Sequence, residues 1–134
     1  MKTLIKLVII IALSICLFSQ NIFASEKIRI GLIVPLSGEN SLIGEKIIKS
    51  IRMAINKIND ERIEIIPKDT KSNPIDALKV SNELYKDGVR IIIGPVFNES
   101  TKYLDDLKDV TFISFTNKLI GNPKNVISAG VNAI

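Results

Sequence analysis

The chain has 134 residues, of which 46% are hydrophobic and 24% are charged, and its formal net charge is +4. It contains one cysteine and no histidine, which excludes a disulfide framework, the common zinc sites and the Ser-His-Asp and Cys-His catalytic systems. Basic and acidic residues are interspersed without a basic stripe, so the sequence has no signature of nucleic-acid binding. We therefore expect no metal, no cofactor and no nucleic-acid partner.

Residues 1–24 have the pattern of a secretory signal peptide. Lys2 and Lys6 supply positive charge, an apolar run covers Leu7–Phe18, and Ala24 is a small residue at a plausible cleavage point. A short positive region, about a dozen apolar residues and a small residue at the cut are typical of such signals. The sequence therefore predicts export to the periplasm.

Two alternatives for this segment are weaker. A membrane anchor is disfavoured because the apolar run is shorter than the roughly 20 residues that span a bilayer. A lipoprotein signal ending at Cys16 is disfavoured because Leu13-Ser14-Ile15 lacks the small residue expected before the lipidated cysteine. Without the signal, residues 25–134 keep 16 of the 18 basic residues and all 14 acidic ones, which leaves a net charge of +2.

The mature part, residues 25–134, is predicted to alternate between strands and helices. Runs rich in isoleucine and valine predict the strands, and apolar residues at helical spacing predict the helices. Ser41 is predicted to cap the first helix, Asn73-Pro74 to begin the second, and Gly88 to end it. The predicted strands are 27–34, 62–67, 89–93, 110–114 and 125–129, and the predicted helices are 42–59, 74–87 and 100–109.

This alternation predicts an α/β fold with a parallel sheet and helices on both faces. In such sheets, small ligands bind in the loops that follow the carboxyl ends of the strands. Three loops qualify: 35–41 after the first strand, 94–101 after the third and 115–118 after the fourth. Their hydroxyl and amide groups suit a neutral or anionic small ligand, although such residues also cap helices and form turns. The predicted ligand-binding residues are Ser37, Phe97, Asn98, Ser100, Thr116 and Asn117.

An enzyme is the remote alternative, because flavodoxin-like and nucleotide-binding enzymes share this alternation of elements. The segment from Gly38 to Gly44 does not match a phosphate loop: five residues separate the glycines, the motif has four, and Glu45 stands in place of its lysine. The acidic residues within 105–109 lie among lysines and are predicted to form a solvated helix face. We therefore predict a binding domain without catalytic residues.

Five short motifs occur in an order that resembles a known family. They are Pro35-Leu36-Ser37-Gly38 at the end of a strand, Gly44 at the start of the long helix, the turn from Asp69 to Pro74, Asp87-Gly88 before the third strand and Gly94-Pro95 after it. Each motif is short, and the resemblance depends on their order and spacing. Together, residues 28–134 resemble the N-terminal lobe of a type I periplasmic binding protein of the leucine/isoleucine/valine-binding family.

The resemblance implies a bilobed protein that traps a small solute, such as an amino acid, when its lobes close. The mature part would supply most of one lobe. We therefore expect a truncated product or a partial gene model, with apolar surface left exposed on its open sheet.

Two branches of the family stay open. In the first, the protein is the solute-binding component of an ABC transporter, with a permease as its partner. Relative to that branch, Asn98 replaces the usual serine, and 115–118 replaces the usual run of small residues. In the second branch, penicillin-binding-protein activators, the same fold stimulates a peptidoglycan synthase. The segments 67–70, 94–97 and 112–117 look closer to this second branch.

Overall fold

The computed structural model describes residues 1, 5–6, 26–121 and 123–130, so the predicted export signal lies almost entirely outside the described part. The strands pair in the order β2-β1-β3-β4-β5, and every pair is parallel, which confirms the predicted fold class. The elements in chain order are β1 (Ile28–Val34), α1 (Ser41–Ile58), β2 (Ile63–Asp69), α2 (Pro74–Lys86), β3 (Ile91–Ile93), two 3₁₀ turns (Asn98–Thr101 and Leu104–Asp106), β4 (Thr111–Ser114) and β5 (Val126–Ser128).

The two α-helices lie on opposite faces of the sheet. Successive strand residues point to opposite faces, and in β1 Leu32 lies in a cleft with Ile51 and Ile55 of α1. Its neighbour Ile33 belongs to the same core cluster as Leu84 of α2. The predicted placement of helices on both faces is therefore confirmed. In the described part of the chain, no helix is long and apolar enough to cross a membrane.

The capping pattern of α2 confirms its predicted start and end. The side-chain oxygen of Asn73 accepts hydrogen bonds from the backbone N–H groups of Ile75 at 2.8 Å and Asp76 at 3.3 Å. Pro74 follows as the first helical residue, where its missing N–H costs nothing. Gly88 then takes a left-handed conformation with φ of 86°, and its N–H donates to the carbonyl of Tyr85.

The main hydrophobic core lies between the sheet and α2. Its buried members come from strands, from α2 and from the 3₁₀ segment: Ile33, Leu84, Val89, Ile92, Leu104, Leu107, Val110, Phe112 and Val126. Phe112 of β4 is the largest fully buried side chain. This core fixes the sheet on one side, so that the loops at its carboxyl edge start from rigid strand ends.

The α1 face of the sheet is less covered. Pairing registers place Ile91, Ile93, Ile113 and Ile127 on this face, on β3, β4 and β5. In the described structure α1 covers only the β1–β2 side, and Ile91 and Ile127 are 42% and 57% exposed. The apolar surface that the sequence led us to expect is therefore present, on the β3-β4-β5 part of this face.

The prediction of a third helix at 100–109 is wrong. Two 3₁₀ turns replace it, and the hydroxyl of Thr101 donates to the carbonyl of Asn98 at 2.7 Å, three residues back. Buried residues recur every third position, at Thr101, Leu104, Leu107 and Val110. That spacing matches the three residues per turn of a 3₁₀ helix rather than the 3.6 of an α-helix.

Several predicted boundaries also differ from the structure; β3, for example, begins at Ile91 rather than at residue 89. Ser41 is the first residue of α1 rather than its cap; Asn40 occupies the cap position and makes no side-chain capping bond. Strand β2 continues beyond the predicted Pro67 to Asp69. Pro67 is tolerated inside this strand because β2 is at the edge of the sheet, where one side of the backbone needs no partner.

Candidate functional site

The strand order places a topological switch point between β1 and β3. From β1 the chain crosses to β2 on one side, and from β2 it crosses back over β1 to β3 on the other. Loops therefore diverge at the carboxyl ends of β1 and β3 and leave a crevice between them, which is where open α/β sheets bind their ligands.

A recess of about 260 Å³ opens at this position. We call it the edge recess, and its lining residues are Asn40, Ser72, Phe97, Asn98, Glu99 and Ser100. Three of the predicted ligand-binding residues, Phe97, Asn98 and Ser100, thus share one cavity. They are together because the 3₁₀ turn after β3 folds directly over the end of that strand.

Ser100 has the most informative environment in the edge recess. The residue is 3% exposed, and its backbone N–H donates to the carbonyl of Phe97 at 3.2 Å. Its hydroxyl makes no hydrogen bond to any described residue. A hydroxyl on a residue that lines a cavity, with no partner among the described residues, is available to a ligand.

Asn98 presents a second available polar group. Its carbonyl accepts the hydroxyl of Thr101 at 2.7 Å, whereas its side-chain amide makes no hydrogen bond within the described ranges. Among the described residues that line the edge recess, Glu99 alone is ionisable. The recess therefore offers hydroxyl and amide groups, one aromatic ring and one carboxylate, which suits recognition of a small polar molecule.

Ser37 lies against the neighbouring loop and does not line the edge recess. Its hydroxyl donates to Asp69 Oδ2 at 2.6 Å, and the backbone N–H groups of Leu36 and Lys71 donate to Asp69 Oδ1, each at 2.8 Å. Partial burial alone would raise the pKa of Asp69, but the hydrogen bonds from Ser37, Leu36 and Lys71 outweigh it and lower that pKa. The proton of the Ser37 hydroxyl is therefore committed to a carboxylate.

Thr116 and Asn117 lie in the loop after β4, outside the lining of the edge recess. The Thr116 hydroxyl oxygen accepts from the N–H of Lys118 at 3.1 Å, and the Thr116 carbonyl accepts the Ser128 hydroxyl at 2.6 Å. Gly130 packs so closely on this loop that a Cβ there would overlap the backbone nitrogen of Asn117. These two residues are held in a compact turn at the β4–β5 side of the edge.

The loops after β3 and β4 are joined by backbone contacts. The N–H of Phe115 and the hydroxyl of Ser114 both donate to the carbonyl of Pro95, at 3.0 and 2.9 Å. Gly94, whose peptide bond to Pro95 is cis, is required because a Cβ there would overlap the carbonyl of Ile33. The 3₁₀ turn that carries the recess residues is therefore anchored at its start.

Sequence reasoning missed four residues of this site. Asn40, Ser72 and Glu99 line the edge recess, and Asp69 accepts the Ser37 hydroxyl beside it, but none was among the predicted site residues. The loop after β2 was not one of the three loops predicted to bind ligand, which follow the first, third and fourth strands. Two available signals were the aspartate that opens the turn and the run of polar residues that follows it in Lys71-Ser72-Asn73.

Comparison with known proteins identifies one family and several similar binding proteins. The model of the periplasmic binding protein family matches residues 27–130. The Leu/Ile/Val-binding protein homolog 1 of Brucella abortus is 33% identical over 73 residues, which are 50% of this chain and 20% of the relative. The leucine-, isoleucine-, valine-, threonine- and alanine-binding protein of Pseudomonas aeruginosa is 28% identical over 102 residues, or 72% of this chain and 27% of that protein.

A solved structure agrees with these relatives. The solute-binding protein of an ABC transporter from Rhodopseudomonas palustris, in complex with 3,4-dihydroxybenzoic acid, superposes with a TM-score of 0.62 at 28% identity. The match covers 66% of this chain and 27% of that structure. The chain thus spans between 20% and 27% of the length of these three similar proteins. It belongs to the periplasmic binding protein family, in the type I, leucine-binding group.

Proposed function

We propose that this chain supplies one wall of the ligand site in a solute-binding component of an ABC transporter, exported to the periplasm by residues 1–24. The solute is a small polar molecule such as an amino acid. The observation that carries the proposal is Ser100, a residue that is 3% exposed and lines the edge recess, and whose hydroxyl bonds no described residue. The proposed contact residues are Ser37, Phe97, Asn98, Ser100, Thr116 and Asn117.

The predicted contacts divide by their chemistry. Ser100 and Asn98 can donate to an oxygen of the solute, and Phe97 can cover its apolar part. Ser37 already donates to Asp69, so it can only accept a hydrogen bond from the solute. The loop that carries Thr116 and Asn117 would contact the opposite end of a longer solute.

Two solute classes have support from similar proteins. Relatives carry names that specify leucine, isoleucine, valine, threonine and alanine as ligands, and the solved structure at 28% identity holds 3,4-dihydroxybenzoic acid. Both classes combine a carboxylate with a compact apolar body. Such molecules match a recess that offers hydroxyl and amide donors beside a phenyl ring.

The test measures solute binding by the full 134-residue chain. Isothermal titration with L-leucine, L-valine, L-threonine and 3,4-dihydroxybenzoate should detect at least one ligand with a dissociation constant on the order of 1 mM. We expect weak binding because one wall makes only part of the contacts. Ser100→Ala should weaken that binding about tenfold, since a lost hydrogen bond of about 1.4 kcal/mol is a factor of ten.

Ser50→Ala is the matched control, because Ser50 is an exposed serine on α1 whose hydroxyl bonds only the carbonyl of Lys46. It should leave the dissociation constant unchanged. If no compound binds the wild-type chain, or if Ser100→Ala binds as well as wild type, the proposed site is wrong. If the chain binds none of these solutes but accelerates a purified peptidoglycan synthase, the activator branch replaces the transport proposal.

A further inference from the structure

We propose that Asp69 is a positioning residue for the edge recess: its carboxylate ties the loop after β1 to the loop after β2, and so holds Asn40 and Ser72 in place as one wall. The inference rests on the proposed function, because it assumes that the edge recess binds a solute. It adds a residue and a loop that lie outside the predicted contact set.

The link between the two loops runs through one side chain. Asp69 is the last residue of β2, and its two carboxylate oxygens accept from Leu36 N and Ser37 Oγ of the β1 loop and from Lys71 N of its own loop. These three bonds measure 2.6 to 2.8 Å. Hydrogen bonds to an ionised acceptor are about twice as strong as neutral ones, so the single carboxylate of Asp69 can hold the two loops together.

The loop after β2 holds an unusual backbone conformation. Lys71 and Ser72 have φ values of 50° and 58°, in the left-handed region that residues other than glycine seldom adopt. Such conformations persist where surrounding contacts determine them. Three bonds hold this conformation here: Asn73 N donates to the Thr70 carbonyl at 2.8 Å across the turn, Lys71 N donates to Asp69 at 2.8 Å, and Thr70 N donates to the Val34 carbonyl at 3.0 Å.

This conformation brings the loop to the edge recess. Ser72 Oγ accepts from the side-chain amide of Asn40 at 3.1 Å, and both residues line the recess opposite Phe97 and Asn98. Since Ser72 uses its oxygen as an acceptor, its own proton is available to a solute. Loss of the Asp69 link would release both sides of the Asn40–Ser72 pair at once.

A purely local role predicts something different. An aspartate that only contributed to global stability would lower the melting temperature, but its effect on solute binding would be independent of Ser72. A positioning role makes the two residues act through the same wall, so their effects on binding must be non-additive. The distinguishing measurement is therefore a double-mutant cycle on affinity.

The experiment titrates L-leucine into the full chain and its variants by calorimetry, and records melting temperatures in parallel. Asp69→Ala should weaken L-leucine binding about tenfold, Ser72→Ala about threefold, and the double variant no more than Asp69→Ala alone. Asp69→Asn, which keeps the shape and one acceptor oxygen, should fall between wild type and Asp69→Ala. Asp60→Ala is the control, because Asp60 bonds Arg62 just before the amino end of β2, away from the carboxyl end that carries Asp69.

Multiplicative losses in the double variant would overturn the proposal, as would an Asp69→Ala chain that binds as tightly as wild type. If wild type binds no L-leucine, the amino-acid arm of the proposed function fails, and amide NMR then decides the positioning role. Asp69→Asn must shift the Asn40 side-chain and Ser72 backbone resonances and speed hydrogen exchange at Leu36. Unchanged signals in that spectrum contradict the inference, whatever ligand the protein has.

Discussion

Gly44, the fourth residue of α1, lies directly against the backbone of Pro35 at the end of β1. A Cβ on Gly44 would overlap the carbonyl oxygen of Pro35 and come within 2.8 Å of its carbonyl carbon. Gly44 is also the only buried residue of α1. Strand and helix therefore meet backbone to backbone at this point, and the contact sets how the β1 loop leaves the sheet.

Gly44→Ala should lower the free energy of unfolding by about 3 kcal/mol, because the added methyl group displaces backbone rather than a flexible side chain. Urea denaturation followed by circular dichroism measures this quantity. Gly88→Ala is the matched control: its φ of 86° disfavours alanine, but a Cβ there meets nothing within 4 Å. That control should cost about 1 kcal/mol. Equal losses in the two variants would contradict the close packing of Gly44.

The side chain of Asn125, just before β5, connects by hydrogen bonds to the segment of 3₁₀ turns between β3 and β4. Its side-chain amide donates to the carbonyls of Leu104, Leu107 and Val110 at 2.9, 2.9 and 3.2 Å. Asn125→Ala should cost about 2 kcal/mol in unfolding free energy, because three partly buried carbonyls lose their donor. Asn125→Asp should cost more at pH 7, since it places a carboxylate against three carbonyl oxygens.

The pH dependence of Asn125→Asp checks the direction of this effect. The new carboxyl group is stabilised in its protonated form, so its pKa in the folded chain is raised above the unfolded value. The variant should therefore lose stability as the pH rises through the pKa of this carboxyl group. It should recover part of that stability near pH 4. Asn82→Asp, at a half-buried amide that bonds only the carbonyl of Leu78, is the control and should change much less. Melting curves between pH 4 and pH 7 give the comparison.

Asp60 should contribute stability that disappears in acid. Its side-chain hydrogen bonds with Arg62, and the backbone N–H of Arg62, lower its pKa from 3.8 to about 2. A carboxyl whose folded pKa lies below its unfolded value stabilises the fold above about pH 4 and loses that contribution as pH falls toward 2. Asp60→Asn should therefore melt slightly below wild type at pH 7, and the gap should close by pH 2. A constant gap across this range would be inconsistent with the ion pair as its source.

The incompletely covered sheet face should be visible in solution. Ile91 and Ile127 are 42% and 57% exposed on the α1 side of the sheet, so we expect them to bind an apolar fluorescent dye and promote self-association. The double variant Ile91→Thr/Ile127→Thr should reduce both signals and change the unfolding free energy by less than about 1 kcal/mol. Ile92→Thr, on the opposite and fully buried face, is the control and should destabilise by roughly 3 kcal/mol. Static light scattering and dye titration measure the outcome.

The α/β alternation was predictable because its signals are local. Asn73-Pro74 and Gly88 bound α2 as expected, since capping depends on a few adjacent residues. The 3₁₀ segment was mispredicted because its apolar spacing of three lies close to helical spacing, and only packing under β4 selects between them. Likewise, Phe97, Asn98 and Ser100 could be assigned to one loop, because a strand end and the residues that follow it are adjacent in sequence.

The amino-acid sequence by itself determined the family, the order of the five strands and two α-helices, and the loop that carries Ser100, because each of these depends on patterns within short stretches. Only the tertiary structure decided that Ser37 faces Asp69, that Ser72 joins the edge recess, and that Thr116 and Asn117 lie outside its lining. Those relationships join residues about 30 positions apart, such as Ser37 with Asp69 and Asn40 with Ser72. They arise from the pairing of β1 with β2 in parallel register, which places the ends of the two strands side by side.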